Sequence, residues 1–95
     1  MNSGAGGGAG IALITGASRG IGEAFAELLA RQGYRLVIVA RSESELNRVS
    51  GVLSSKHETS VVPIAFDLGE RGAGAELADD LERRGLTPTV IVNNA

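Results

Sequence analysis

The chain has 95 residues and a formal net charge of -2, with 43% hydrophobic and 21% charged residues and only two Phe and one Tyr. That length fits one small domain with a modest core, and the balance is too apolar for a disordered chain and not basic enough for a nucleic-acid surface. The absence of Cys excludes a disulfide framework and thiolate metal sites, and the single His57 cannot build a common zinc constellation alone.

Residues 1–10 are glycine-rich, so little burial offsets the entropy of ordering them, and a flexible arm is expected there. They lack the basic and apolar regions of a secretory signal, and no apolar run approaches the ~20 residues of a membrane helix. A cytoplasmic protein with no membrane partner is the expectation. Ile11 to Ile14 form an uncharged run that breaks at Gly16, which suits a strand buried on both faces. Ile21, Ala24, Phe25, Leu28 and Leu29 then recur at helical spacing, an apolar stripe expected to face the core, with Gly33 as a left-handed stop.

Leu36 to Ala40 is a second buried strand. Ser42 with Glu45 three residues on has the spacing that satisfies the first amides of a helix. That helix carries Leu46, Val49 and Leu53 on one face and is expected to fray near Ser54 and Ser55, leaving His57 solvated near its end. Val61 to Phe66 is a third strand, and Pro63, which donates no ladder hydrogen bond, assigns it to a sheet edge. A third helix is predicted over Ala75 to Arg84, with Leu77, Ala78 and Leu81 inward and Gly85 as its stop. Thr89 to Val92 gives a fourth strand. Strands alternating with helices imply parallel pairing through right-handed crossovers. The predicted fold is α/β: a Rossmann-like doubly wound parallel sheet, βαβαβαβ, ordered 3-2-1-4, over residues 11–95.

The segment Thr15-Gly16-Ala17-Ser18-Arg19-Gly20-Ile21-Gly22 joins a buried strand to an amphipathic helix. There the terminal amides of the helix are free to cradle a phosphate, while Gly16 permits the turn and Gly20 and Gly22 permit close approach. The spacing is G-x-x-x-G-x-G, not the G-x-G-x-x-G fingerprint. With Asn93-Asn94-Ala95 after the fourth strand, these residues resemble the short-chain dehydrogenase/reductase family, whose cofactor motif and N-N-A-G motif they match. The alternative is that the glycines serve only as a tight turn and the Asn pair as a loop.

The resemblance places a nicotinamide cofactor against Gly16, Ser18, Arg19, Gly20, Ile21, Gly22, Arg41, Ser42, Asp67, Leu68, Asn93 and Ala95. Asp67 would take the adenine amino group, Asn93 and Ala95 would line the ribose and nicotinamide side, and Asn94 would hold neighbouring backbone. The second strand ends Val39-Ala40-Arg41-Ser42, without the acidic residue that selects NAD. Arg41 and Arg19, with the Ser42 hydroxyl, suit the extra phosphate of NADP(H); NAD(H) is the alternative.

The chemistry the family performs uses a Tyr-x-x-x-Lys pair and an upstream Ser. Tyr34 is followed four residues on by Ile38, and Lys56 is preceded four back by Val52, so no such pair lies in these 95 residues and no catalytic residue is assigned. Tyr34 is expected to anchor the core, and Glu27 to pair with Arg31 on an outer helical face. The resulting expectation is the cofactor-binding part of an NADP(H)-dependent oxidoreductase that interconverts a carbonyl and a secondary alcohol, truncated relative to the full family fold and inactive alone. A non-catalytic NADP(H)-sensing module is the alternative, and a purely structural fragment a third. The unpaired edge of the fourth strand leads to an expected homo-oligomer.

Overall fold

The computed structural model describes residues 10–17 and 20–94. The expected arm at residues 1–10 lies, apart from Gly10, outside the described residues. Seven elements follow in chain order: β1 (Ile11–Thr15), α1 (Gly20–Arg31), β2 (Arg35–Ala40), α2 (Glu43–His57), β3 (Val61–Ala65), α3 (Ala73–Arg83) and β4 (Val90–Asn93).

The four strands form one parallel sheet ordered β3-β2-β1-β4, the expected Rossmann-like arrangement. The connections through α1 and α2 step one way from β1, and the connection through α3 steps back across the sheet. Since parallel crossovers are right-handed, that reversal puts α3 on the opposite face. The central strands therefore feed two cores. Ala12 and Ile14 of β1 and Leu36 and Ile38 of β2 pack with Ala26, Leu29 and Ala30 of α1 and Leu46, Val49 and Leu53 of α2. Their neighbours Ile11, Leu13, Val37 and Val39 pack with Ile64, Leu77 and Leu81 on the other side. Each large aliphatic side chain buried in this way stabilises the fold by about 1.5–3 kcal/mol.

The edge position of β3 follows from Pro63, which stands opposite Ile38. Gly33, at φ 94°, ends α1, with the Tyr34 amide donating back to the Leu29 carbonyl. Gly85, at φ 72°, ends α3 in the same way, the Leu86 amide reaching the Leu81 carbonyl. Tyr34 is packed against the core as an anchor.

Several local expectations are corrected. In α1 the buried residues are Gly22, Ala26, Leu29 and Ala30, whereas Ile21, Phe25 and Leu28 are 66%, 41% and 39% exposed. Small side chains let the helix lie close on β1 and β2, and the larger ones fall on its flank. Helix α3 starts two residues before the predicted Ala75, so Ala73 completes a buried i, i+4 row with Leu77 and Leu81, and Ala78 falls beside that row and is exposed. Helix α2 does not fray at Ser54 and Ser55; it runs to His57 and closes with Glu58 at φ 53°, whose amide donates to the Ser54 carbonyl. His57 is not solvated, its side chain being 12% exposed. Glu27 turns to α2, where Lys56 Nζ donates to it at 2.7 Å and His57 Nε2 lies 3.6 Å away, instead of pairing with Arg31. No helix among the described residues is long and apolar enough to cross a membrane.

Candidate functional site

The turn that leaves β1 is tied down at both ends. The Gly16 and Ala17 amides donate to the Val39 carbonyl at 2.8 and 3.3 Å, which locks the turn to the end of β2. Gly16 has φ 64° and Gly20 φ 63°, left-handed values that a side chain would strain. The two later glycines have different roles. A Cβ on Gly20 would meet nothing within 4 Å, so its face is open to an approaching ligand. A Cβ on Gly22 would overlap the Gly16 carbonyl and stand 2.9 Å from Asn94 Nδ2, so this glycine lets α1 dock against the turn.

Thr15, 5% exposed, joins β1 to the end of β4. Its hydroxyl donates to Asn93 Oδ1 at 3.1 Å and accepts from the Asn94 amide at 3.0 Å, with the Val92 carbonyl at 3.5 Å. Asn94 Nδ2 in turn donates to the Gly16 carbonyl at 3.4 Å. The tips of β1 and β4 are thus held in one hydrogen-bonded clasp beneath the glycine turn.

Beyond the carboxyl ends of the strands lies a crevice of about 740 Å³. Gly16 contributes from the turn; Val39, Ala40, Arg41 and Ser42 from the end of β2; Phe66, Asp67, Leu68 and Gly69 from the end of β3; and Asn94 from the end of β4. Ser42 is the N-cap of α2, its hydroxyl accepting from the Glu45 amide at 3.3 Å and lying 3.4 Å from the Ser44 hydroxyl at the mouth of the crevice. Arg41 is exposed, and its side chain makes no hydrogen bond or ion pair among the described residues. Arg48 takes the charge of the first turn of α2: hydrogen bonds to Glu45 and then Glu23 hold its guanidinium above the usual arginine value. Asp67 Oδ1 accepts from the Gly69 amide at 2.9 Å, so the residue shapes its own loop and does not cap α3, which opens at Gly72.

Gly16, Arg41, Ser42, Asp67 and Leu68 therefore come together around one crevice, with Gly20, Ile21 and Gly22 opening the adjoining helix. The Asn93 side-chain carbonyl accepts from Thr15, and Asn94 lines the crevice. Ser18, Arg19 and Ala95 lie outside the described residues. Sequence reasoning missed Thr15, Phe66 and Gly69, although a hydroxyl ending an otherwise apolar, fully buried strand was a readable signal for Thr15.

The family model for short chain dehydrogenases matches residues 10–95. The chain belongs to the short-chain dehydrogenase family. Among curated members, very-long-chain 3-oxoacyl-CoA reductase-B of Danio rerio is 37% identical over 83 residues, covering 87% of this chain and 26% of that protein. The chain thus spans about a quarter of the length of such relatives. Two solved family structures superpose on it. L-sorbose reductase from Gluconobacter frateurii, complexed with NADPH and L-sorbose, does so with a TM-score of 0.83 at 32% identity, over 90% of this chain and 32% of that one. A short-chain dehydrogenase from Sphingobium yanoikuyae in complex with NADPH gives 0.79 at 34% identity, over 90% and 33% of the two chains.

Proposed function

We propose that this chain is the NADP(H)-binding portion of an oxidoreductase that interconverts a carbonyl and a secondary alcohol. The observation that carries the NADP(H) assignment is at the end of β2. Arg41 and Ser42 line the crevice where an NAD enzyme of this fold would present a carboxylate. The residues fit such a ligand on three counts. The open face of Gly20 admits a pyrophosphate to the start of α1. The Arg41 guanidinium and Ser42 hydroxyl suit a phosphate on the adenosine ribose. Phe66 and Leu68, with the Asp67 carboxylate between them, suit a purine and its amino group. The relatives known in complex with NADPH support the same choice.

When bound, the nicotinamide cofactor supplies or accepts the hydride. The residues of this chain bind and orient it: the clasp of Thr15, Asn93 and Asn94 fixes the glycine turn, and Arg41 sets which dinucleotide is preferred. Replacing Arg41 with Ala is expected to weaken NADPH binding about tenfold to a hundredfold, since one charge-assisted hydrogen bond is worth about 1.5–3 kcal/mol. NADH binding should change little, and calorimetric titration with both dinucleotides checks this. Equal losses for the two would remove the assignment.

Ketone-dependent NADPH oxidation by the complete polypeptide tests the oxidoreductase reading; intact NADPH binding without it would leave a non-catalytic NADP(H) sensor.

A further inference from the structure

A helix start that receives a phosphate meets two opposed demands. Acidic side chains in the first turn favour the free amides there, and the same negative charge repels a phosphate from that place. Both helices that open beside the crevice carry such acids: Glu23 in the first turn of α1, and Glu43 and Glu45 in that of α2. The Glu45 amide itself donates to Ser42, which lines the crevice, so this carboxylate belongs to the residue next to the wall. Arg48 spans the two turns. Its Nη2 donates to Glu23 Oε1 at 3.4 Å and to Glu45 Oε1 at 3.2 Å, and its Nε donates to the same Glu45 oxygen at 3.3 Å. It is not among the residues that line the crevice.

We propose that Arg48 is a positioning residue for cofactor selectivity: it gathers the Glu23 and Glu45 carboxylates and cancels part of their charge, so that the more highly charged dinucleotide is not repelled. The inference rests on the NADP(H) reading above and deepens it by adding to Arg41 a residue that acts on the choice of cofactor without touching it. Two carboxylates and one guanidinium leave a single net negative charge between the two helix starts; without the guanidinium that charge doubles. The 2′-phosphate, which NAD(H) lacks, meets the difference most strongly. All three side chains are partly exposed, Arg48 by 50%, so the effect is modest and is screened by salt.

Fluorescence titration of the complete polypeptide with NADPH and NADH, at low and high salt, tests this. At low salt Arg48→Ala is expected to weaken NADPH binding about threefold and NADH binding by less than about twofold. The ratio of parent to variant affinity should approach one in about 0.5 M salt. Arg48→Lys should keep most of the NADPH affinity, and adding Glu45→Gln to Arg48→Ala should restore it. Unchanged NADPH binding, equal losses for the two dinucleotides, a loss that salt does not relieve, or no recovery in the double variant overturns the inference and leaves the NADP(H) reading standing. A parent protein that binds neither dinucleotide overturns both.

Discussion

Thr15 is a polar residue buried at the tip of β1, and its hydroxyl acts as both donor and acceptor between the two asparagines that end β4. Replacing it with Val keeps the shape but takes the shared partner from the Asn94 amide and the Asn93 side-chain carbonyl at the partly buried end of β4. The expected cost is about 1–3 kcal/mol, read as a melting temperature lowered by several degrees, and Thr15→Ser should recover most of it. A Val variant as stable as the parent would show that the clasp carries no load. Arg41 and Ser42 were legible in the sequence because both sit directly after a strand of unmistakable pattern. The choice between Asn93 and Asn94 was not. Both asparagines follow the same apolar run, and their roles are set across β1, where Thr15 meets Asn93 and the Gly16 carbonyl meets Asn94.

At the scale of elements, the helices were legible in position and less so in orientation. The apolar residues of α1 mark an amphipathic helix, yet periodicity alone does not tell the docked face from its flank; Gly22, Ala26 and Ala30 settle that by permitting close approach to the sheet. The far ends of α1 and α2 are joined by Glu27, which Lys56 and His57 both face. The hydrogen bond from Lys56 holds the Glu27 carboxyl below its ordinary value of 4.5, more than desolvation raises it, with smaller contributions from the charges of Lys56 and His57. A carboxylate held lower in the folded than in the unfolded chain adds stability above the unfolded value, and that stability is lost as pH falls through the folded one. Glu27→Gln should therefore melt lower than the parent at pH 7, and the gap should close as pH drops below 4.5. The gap should also shrink in high salt, because the pair is at the surface. Thermal melts at three pH values check this, and a gap that persists in acid would assign the effect to packing.

For the whole molecule, the strand order was readable because alternating elements and right-handed crossovers leave few arrangements. What covers each face was less readable, because it depends on neighbours distant in the chain. The two edges of the sheet are unlike. Strand β3 is blunted by Pro63, which offers no amide to a visitor, whereas β4, the other edge among the described residues, has no proline or lysine and exposes Ile91 on the face that carries α3. The isolated chain is expected to self-associate with rising concentration through that side. Ile91→Lys should shift the sedimentation profile toward monomer. A parent chain that stays monomeric at high concentration would count against a sticky β4 edge.

The central strands have no side reserved for solvent: successive residues of β1 and β2 supply opposite compartments, Ile14 to one and Leu13 to the other. Loosening either layer of helices removes support from the same strands on which the other layer rests. The two compartments are therefore expected to melt together in a single transition, although the polypeptide builds them from different stretches of its length.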